Sequence, residues 1–581
     1  MRTRNPTWMG EQMISETMPH PLKVLNPTAD RFGGAEEALA PRPASLSGRT
    51  VGLLWNGKAN GDLALRAVAE QLKSYAPGVR TVFYVGAIRC SSDLLKQVAD
   101  ECDVVVGCTA DCGSCTSWMA HDCIQLEQMG TPAVAIVSDG FEINFAASAR
   151  AFALPGLEFV RVPEVYNNAT PDRVLEQTLD VLPALFQTLT GLAGGVAEQV
   201  ETTRPAVPVG PVIEVAAIEP LEAVGLFNDR FADLGWTDGY PVWPPTADRV
   251  AELTDAVGGE VDEVLFRLPP GNGELTLQKL AINCAMANCS PAEMAIVEAV
   301  LRAFTDERQR TMVRACLMST SAHAPIVVIN GPLALTLGVN AGRSCVGPGV
   351  QNIVNLRIAR AISLCLNNLG RWSAGVMDLD TIGTPRKHIV VIAENVEESP
   401  WPAFHEDCGF DASDDVVTVF FSMGEWDVGL QGHLDPAQLA TALGAFSGGN
   451  SGSGYFTNLF ADSDKSPMGR LMLMAPVHAR ALSAGGLSKQ ALRDILFDTG
   501  REPISRLVEP MRGLHRDGKI LPQWEWVFDA DQETQERTLL PVIEHADDYH
   551  IVVAGSGRGK DLLMPTRCKP ISRKVRADWL P

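Results

Sequence analysis

The sequence has no run of about 18 consecutive apolar residues, so no transmembrane helix is expected. Its first 30 residues carry Pro, Asn, Glu and Asp where a secretory signal would need an apolar core. Together these absences point to the cytoplasm. Basic residues are also scarce. Against 70 Asp and Glu stand 48 Lys and Arg, a net charge of −22, which repels phosphate backbones and anionic lipid. Nucleic acid and membrane surfaces are therefore excluded as expected partners. Only 20% of residues are charged and 46% are hydrophobic, which supplies apolar material for packed cores and argues against wholesale disorder.

At 581 residues the chain exceeds one typical core, and about three to five domains, or fewer large ones, are expected. Residues 1–46 lack a clean period and read as an N-terminal arm. From Thr50, short apolar runs alternate with segments of helical period: Thr50–Trp55, Asp62–Tyr75, Val79–Val85, Ser91–Glu101, Asp103–Cys108, Ser117–Met129, Ala133–Ser138, Ile143–Phe152, Leu157–Val162 and Asp172–Thr188. Strands alternating with helices predict a doubly wound parallel sheet, an α/β domain over 47–190. Gly194, Gly195, Pro205, Pro208 and Pro211 mark 191–222 as a linker. Residues 223–581 read as a larger α/β or α+β unit, with a subdivision allowed near 400–430.

Thirteen cysteines leave one unpaired in any full disulfide scheme, and several, such as Cys284 and Cys365, lie in apolar helical runs as small core residues. Cys112-Gly113-Ser114-Cys115 is different. A buried strand should end near Gly107 and a helix begin near Thr116 or Ser117, either of which is a suitable N-cap. The pair then sits at the carboxyl edge of a parallel sheet, where ligands bind. A helix N-terminus stabilises a thiolate. Such a pair can cycle between dithiol and disulfide, or Cys112 can attack an electrophile and Cys115 resolve the adduct. The lesser alternatives are half of a zinc site completed by Cys102, Cys108, His121 or Cys123, and simple packing; no second C-x-x-C is present to complete a closed zinc motif.

The stretch Asp111-Cys112-Gly113-Ser114-Cys115-Thr116-Ser117 resembles the UGSC family of selenoproteins and their cysteine homologues, with Cys112 at the selenocysteine position. The frame is similar too: Trp55-Asn56-Gly57-Lys58-Ala59-Asn60, Ala120-His121-Asp122 and Gly130-Thr131-Pro132-Ala133-Val134. The resemblance spans about residues 22–190 and implies redox or nucleophilic work at Cys112. More remotely the arrangement is similar to the selenoprotein subunits of glycine, betaine and proline reductases, whose nucleophile displaces an amine from an activated carbon. The second unit resembles the large domain found fused to UGSC domains.

Around the loop, Asn56, Lys58 and Asn60 follow the first strand on the same sheet edge. Lys58 either holds a substrate carboxylate or supports a thiolate, or is a solvated turn lysine. Asp139 and Glu142 follow the Ala133–Ser138 strand; Asp139 serves proton transfer or caps the next helix. His121 is a general base, a metal ligand or a hydrogen-bonded structural residue. Trp118 stacks on substrate or fills core.

In the second unit, helices are predicted at Pro291–Phe304, Val350–Leu369 and Asp435–Ala445, and strands at Ile326–Asn330, His388–Ala393, Val416–Phe421, Arg470–Met474 and His550–Ala554. Asn340–Gly349 is a glycine-rich turn feeding a helix. With Arg343 it either holds an anion or is a structural turn, and it lacks the Gly-Lys-Ser/Thr ending of a phosphate loop. Gly448–Gly454 and Gly555–Lys560 are also glycine-rich, and Arg558 and Lys560 can meet an acidic group. His388, Glu394, His405, Glu406, Asp407 and Cys408 lie in one short region, but His405-Glu406-Asp407-Cys408 lacks zinc spacing, so no metal site is assigned. The reading that follows is a thiol-dependent oxidoreductase or transferase for a small carboxylated or carbonyl substrate. Cys112, Cys115 and His121 are its catalytic candidates. Asn56, Lys58, Asn60, Asp139, Arg343 and Lys560 are its substrate-binding candidates. A Cys-ligated metal enzyme and a redox-switched binding protein are the alternatives. A thiol or thioredoxin-type reductant is the expected partner, no cofactor is specified, and a homo-oligomer is compatible.

Overall fold

A computed structural model of the chain describes residues 21–87, 89–192, 210–217, 219–430, 435–448, 468–516, 518 and 520–580. Most of the predicted linker and Gly449–Gly454 of the predicted glycine loop lie outside these residues. Five strands, β2 (Thr50–Trp55), β3 (Arg80–Val85), β4 (Val104–Ala110), β5 (Ala133–Ser138) and β6 (Phe159–Val162), form one parallel sheet in the order β3-β2-β4-β5-β6. The helices are α1 (Gly61–Tyr75), α2 (Ser92–Glu101), α3 (Gly113–Gln128), α4 (Glu142–Ala151) and α5 (Pro171–Leu189). Strand period two divides the core. Val104, Val106 and Cys108 pack toward α1 and α5, while Val105 and Ala110 pack toward α2, α3 and α4. The fold is the doubly wound α/β domain expected from the sequence.

The strand order reverses between β2 and β4: from β2 the chain moves outward to β3, then returns to β4 on the other side. The carboxyl ends of β2 and β4 therefore flank a crevice, the place where open parallel sheets bind ligands.

The arm belongs to both units. Its strand β1 (Leu22–Leu25) pairs antiparallel with β7 (Val212–Val215), and Val24 and Ala29 join the core of the second unit. Farther on, Gly33 bonds to Asn272 and Glu37 to Ala153. A Cβ at Gly33 would stand 2.5 Å from the Arg150 carbonyl, so this stretch threads a gap only glycine fits.

The second unit adds helices α6 (Pro220–Asp233), α7 (Ala247–Val257), α8 (Leu277–Met286), α9 (Pro291–Ala303), α10 (Arg310–Leu317), α11 (Pro332–Leu337) and α12 (Ile353–Asn368), and the hairpin β8 (Val264–Leu268) and β9 (Gly273–Thr276). Its main sheet contains β10 (Ala324–Asn330), β11 (Val390–Ala393), β12 (Val416–Ser422), β13 (Trp426–Val428), β14 (Met468–Met474), β17 (Tyr549–Val553) and β18 (Asp561–Lys574), after a short β15–β16 pair at Arg501–Pro503 and Leu539–Pro541. The order β11-β10-β12-β18-β14-β17 reads alike from both ends. A parallel pair lies at each edge and antiparallel contacts fill the middle. The sheet curls around Ile326, Val328, Ile392, Phe420, Leu471, Leu473, Val552 and Met564. Among the described residues no single helix is long and apolar enough to cross a membrane.

Candidate functional site

β4 ends at Ala110, and after Asp111 the chain turns directly into α3. The helix starts earlier than its Thr116 and Ser117 signals suggest. Cys112 is the N-cap: its backbone is extended, and its Sγ accepts a hydrogen bond from the Cys115 N–H at 3.3 Å, as a serine oxygen would. Cys112 and Cys115 are joined as a disulfide, with Cα atoms 5.2 Å apart. Cys115 is fully buried in the first turn, whereas Cys112 is half-buried. An incoming reagent therefore meets Cys112 first. The pair stands at the amino end of a 16-residue helix, whose partial positive charge favours a thiolate when the disulfide opens.

The Cys-Gly-Ser-Cys turn, closing the strand beside the switch point of a parallel sheet, is the decisive feature. The UGSC family model matches residues 23–191. That span takes in the arm from Lys23 onward, all five strands of the parallel sheet and the disulfide loop. No curated protein matches the chain.

The UGSC domain presents its disulfide to the second unit. A Cβ built on Gly113 would lie 1.9 Å from the Met318 carbonyl oxygen and 2.9 Å from the Leu379 side chain. α10 runs alongside α3: Met318, just past its end, meets Gly113, and the Arg314 guanidinium donates to Ser117 Oγ at 3.3 Å. Asn144 of α4 donates to the Val376 carbonyl at 3.1 Å, and Ala147 and Ala151 pack on Met318 and Met377. The disulfide loop is thus an interdomain site.

Asp111 is the group beside the sulfurs that the sequence reading did not single out. One of its carboxylate oxygens and both sulfurs lie within 4.8 Å of one another. Asp111 is buried, and accepts from Thr109 Oγ1 at 2.9 Å and from the Asn167 N–H at 3.1 Å. Burial raises its pKa, while the hydrogen bonds and the Lys58 charge act in the opposite direction. Such a carboxyl exchanges a proton nearer neutral pH than an exposed aspartate does. Its adjacency to Cys112 is visible in the sequence. Its burial is not, because burial depends on the distant Asn167 loop.

Asn56 is buried and clamps the Thr109 peptide from both sides, donating to its oxygen at 2.8 Å and accepting from its N–H at 3.1 Å. It holds the end of β4 in place. Lys58 is half-buried and acts electrostatically on Asp111. Asn60, in a left-handed conformation, donates to the carbonyls of Tyr166 and Ala169 and fastens the β2 loop to the loop after β6. Asp139 is exposed and pairs with Arg161 at 3.5 Å. His121 stacks edge-on against Trp118 and Phe152 and meets Asp122 at 3.2 Å. It stands about 13 Å along the helix axis from the N-cap. Trp118 is fully buried.

Arg343 and Lys560 lie elsewhere. The Arg343 loop and the Ser556 loop meet each other, through the Gly555 N–H to the Ala341 carbonyl at 2.8 Å and Arg343 to Ser556 at 3.4 Å. Asn340 in turn accepts from Ala393, at the carboxyl end of β11. Met318, against which the disulfide loop packs, precedes the amino end of β10, whereas Asn340 sits at the carboxyl end of its parallel neighbour β11. The geometry gathers Cys112, Cys115, Asp111, Asn56 and Lys58, and leaves Asp139, His121, Arg343 and Lys560 outside that group.

The neighbouring cysteines do not compete. Cys90, Cys108 and Cys123 are buried thiols whose pKa values burial pushes up. Among the described residues the one cluster of three groups suited to a metal is Asp111, Cys112 and Cys115. A disulfide offers no thiolate, so metal binding and the observed pairing exclude each other.

Proposed function

We propose that this protein is a thiol-dependent oxidoreductase whose Cys112 is the attacking nucleophile and Cys115 the resolving thiol. The observation that carries the reading is the asymmetric disulfide at the N-terminus of α3: half-buried Cys112, buried Cys115, and the Asp111 carboxyl within 4.8 Å. In the reduced state the Cys112 thiolate displaces a leaving group Y⁻ from an activated carbon R–Y, forming Cys112–S–R. Cys115 attacks the Cys112 sulfur, the disulfide forms, and R departs with the bonding pair and takes a proton to give R–H. Two thiol protons are released, one to R and one to Y, and the dithiol supplies two electrons. R must stabilise negative charge in that step, which favours a carbonyl-bearing substrate. An external thiol or dithiol restores the reduced pair. Asp111 takes the Cys115 proton as that sulfur becomes nucleophilic.

The test is a single turnover of the reduced, metal-free protein with a phenacyl halide, followed by peptide mass spectrometry. Acetophenone release with re-formation of Cys112–Cys115 is expected. Cys115→Ser should stop at the Cys112 adduct, and Cys112→Ser should form none. Labelling of Cys112 only after denaturation would overturn the reading. Stoichiometric metal lost on Cys112→Ser would replace it with the metal-site alternative.

A further inference from the structure

A cleft of about 560 Å³ lies between the UGSC domain and the second unit. Phe152 and Ala153 line it from one side, and Phe266, Arg267, Arg310 and Arg314 from the other. Its size is that of a small-molecule site. Arg314 is the unusual member. It is 1% exposed, and all its hydrogen-bond partners are neutral: the Pro270 carbonyl at 2.6 Å, Asn272 Oδ1 at 3.2 Å and Ser117 Oγ at 3.3 Å. Its Nε is buried with no partner. The guanidinium stacks over Phe152 at 4.5 Å. Among the described residues no carboxylate pairs with it, although the chain as a whole carries an excess of 22 negative charges.

The charges acting on Arg314 worsen its position. Burial, then repulsion from Arg310 and Arg89, lowers its pKa to about 9, so at neutral pH it still carries its charge. A buried charge without a counter-ion is strongly disfavoured. Arg310 and Arg267 are about half exposed. Each has one acidic neighbour, Glu307 at 3.5 Å and Glu274 at 3.2 Å, and neither acid reaches Arg314.

We infer that this cleft binds a small organic acid, its carboxylate directed to Arg314 between Arg310 and Arg267 and its apolar body against Phe152 and Phe266. Three arginines against Glu37 and Glu307 leave the charged lining net positive, and the two phenylalanines supply the walls. The inference rests on the cleft alone and holds whether or not Cys112 turns over. If both readings stand, Ser117 connects them, since Arg314 reaches the first turns of the helix that Cys112 caps.

Titration calorimetry of the full chain, with the disulfide intact and no turnover possible, tests this. Phenylacetate should bind saturably. The neutral isostere phenylacetamide should bind at least about tenfold more weakly, the worth of a charge-assisted hydrogen bond. Arg310→Gln and Arg267→Gln should each weaken phenylacetate several-fold. Arg314→Gln should abolish binding; if that variant does not fold, the two rim variants decide. Equal affinity for acid and amide, indifference to both rim substitutions, or no saturation at millimolar phenylacetate would overturn the assignment. Saturation by inorganic phosphate alone would overturn the organic-acid class.

Discussion

Gly113 presses against the Met318 carbonyl so closely that any side chain would overlap it: a Cβ there would stand 1.9 Å from the oxygen. The small residue inside the Cys-Gly-Ser-Cys turn therefore serves the domain interface as well as the turn. Gly113→Ala forces α3 and the end of α10 apart. It should destabilise the protein by about 2 kcal/mol or more, the scale of overpacking against an unyielding backbone. Urea unfolding checks the stability. Alkylation of the reduced protein should show Cys115 newly accessible once the interface is wedged open.

Asp111 predicts a pH dependence. Burial raises its pKa, so it becomes a base only above that raised value. The rate at which Cys115 resolves a Cys112 adduct should therefore fall as pH is lowered through the Asp111 pKa. Asp111→Asn should slow resolution by about a hundredfold and remove that limb of the profile. Stopped-flow release of acetophenone across pH reads both effects. An unchanged profile in the variant would assign the proton to another group.

Glu127 ties the arm to the parallel sheet. Its buried carboxylate accepts from the Ala40 and Ala133 N–H groups, each at 2.7 Å, and pairs with Arg42 at 2.7 Å, both side chains being largely enclosed. Glu127→Ala strands the Arg42 charge with only Glu158, at 3.6 Å. It should cost about 3–5 kcal/mol, the range for breaking a buried pair from one side. Limited proteolysis should then cut within residues 36–46 before the domain cores.

His550, on β17, is packed among Phe404 and Phe420 and held neutral, with a pKa lowered by burial to about 3. The unfolded chain binds this proton near pH 6.5 and the folded chain only near 3. Stability is therefore unaffected above about pH 6.5 and falls as pH drops from there toward 3, by about 1.4 kcal/mol per pH unit from this group. His550→Phe should flatten that part of the acid limb, as read from melting temperatures between pH 7 and 4.

The parallel sheet of the UGSC domain was legible because buried strands read as continuous apolar runs and amphipathic helices repeat at 3.6 residues. Val104–Val106 and Ala133–Val137 are such runs. β18 shows where that signal fails. It is 14 residues long and central in the second sheet, yet it contains Pro565, Arg567, Lys569 and Pro570, and Cys568 has positive φ. Its register shifts opposite Val419 and Phe421, an irregularity that accommodates Pro570, which a regular central strand would refuse. The start of α3 was misplaced for a local reason: Thr116 and Ser117 are good caps, but the Cys112 sulfur accepts the hydrogen bond four residues earlier.

The sequence by itself determined the doubly wound domain, the strand-to-helix position of Cys112 and Cys115, and the small residues between them, because these depend on local periodicity and turn chemistry. Only the tertiary structure decided that the loop faces Met318, that Asp111 is buried beside the sulfurs, that Arg314 lies uncompensated in a cleft, and that Arg343 and Lys560 contact Ser556 and Asp427 instead of the disulfide loop. Each of those facts depends on which distant segments meet. Contacts between residues up to hundreds of positions apart leave no periodic trace along the chain, so packing alone could assign them.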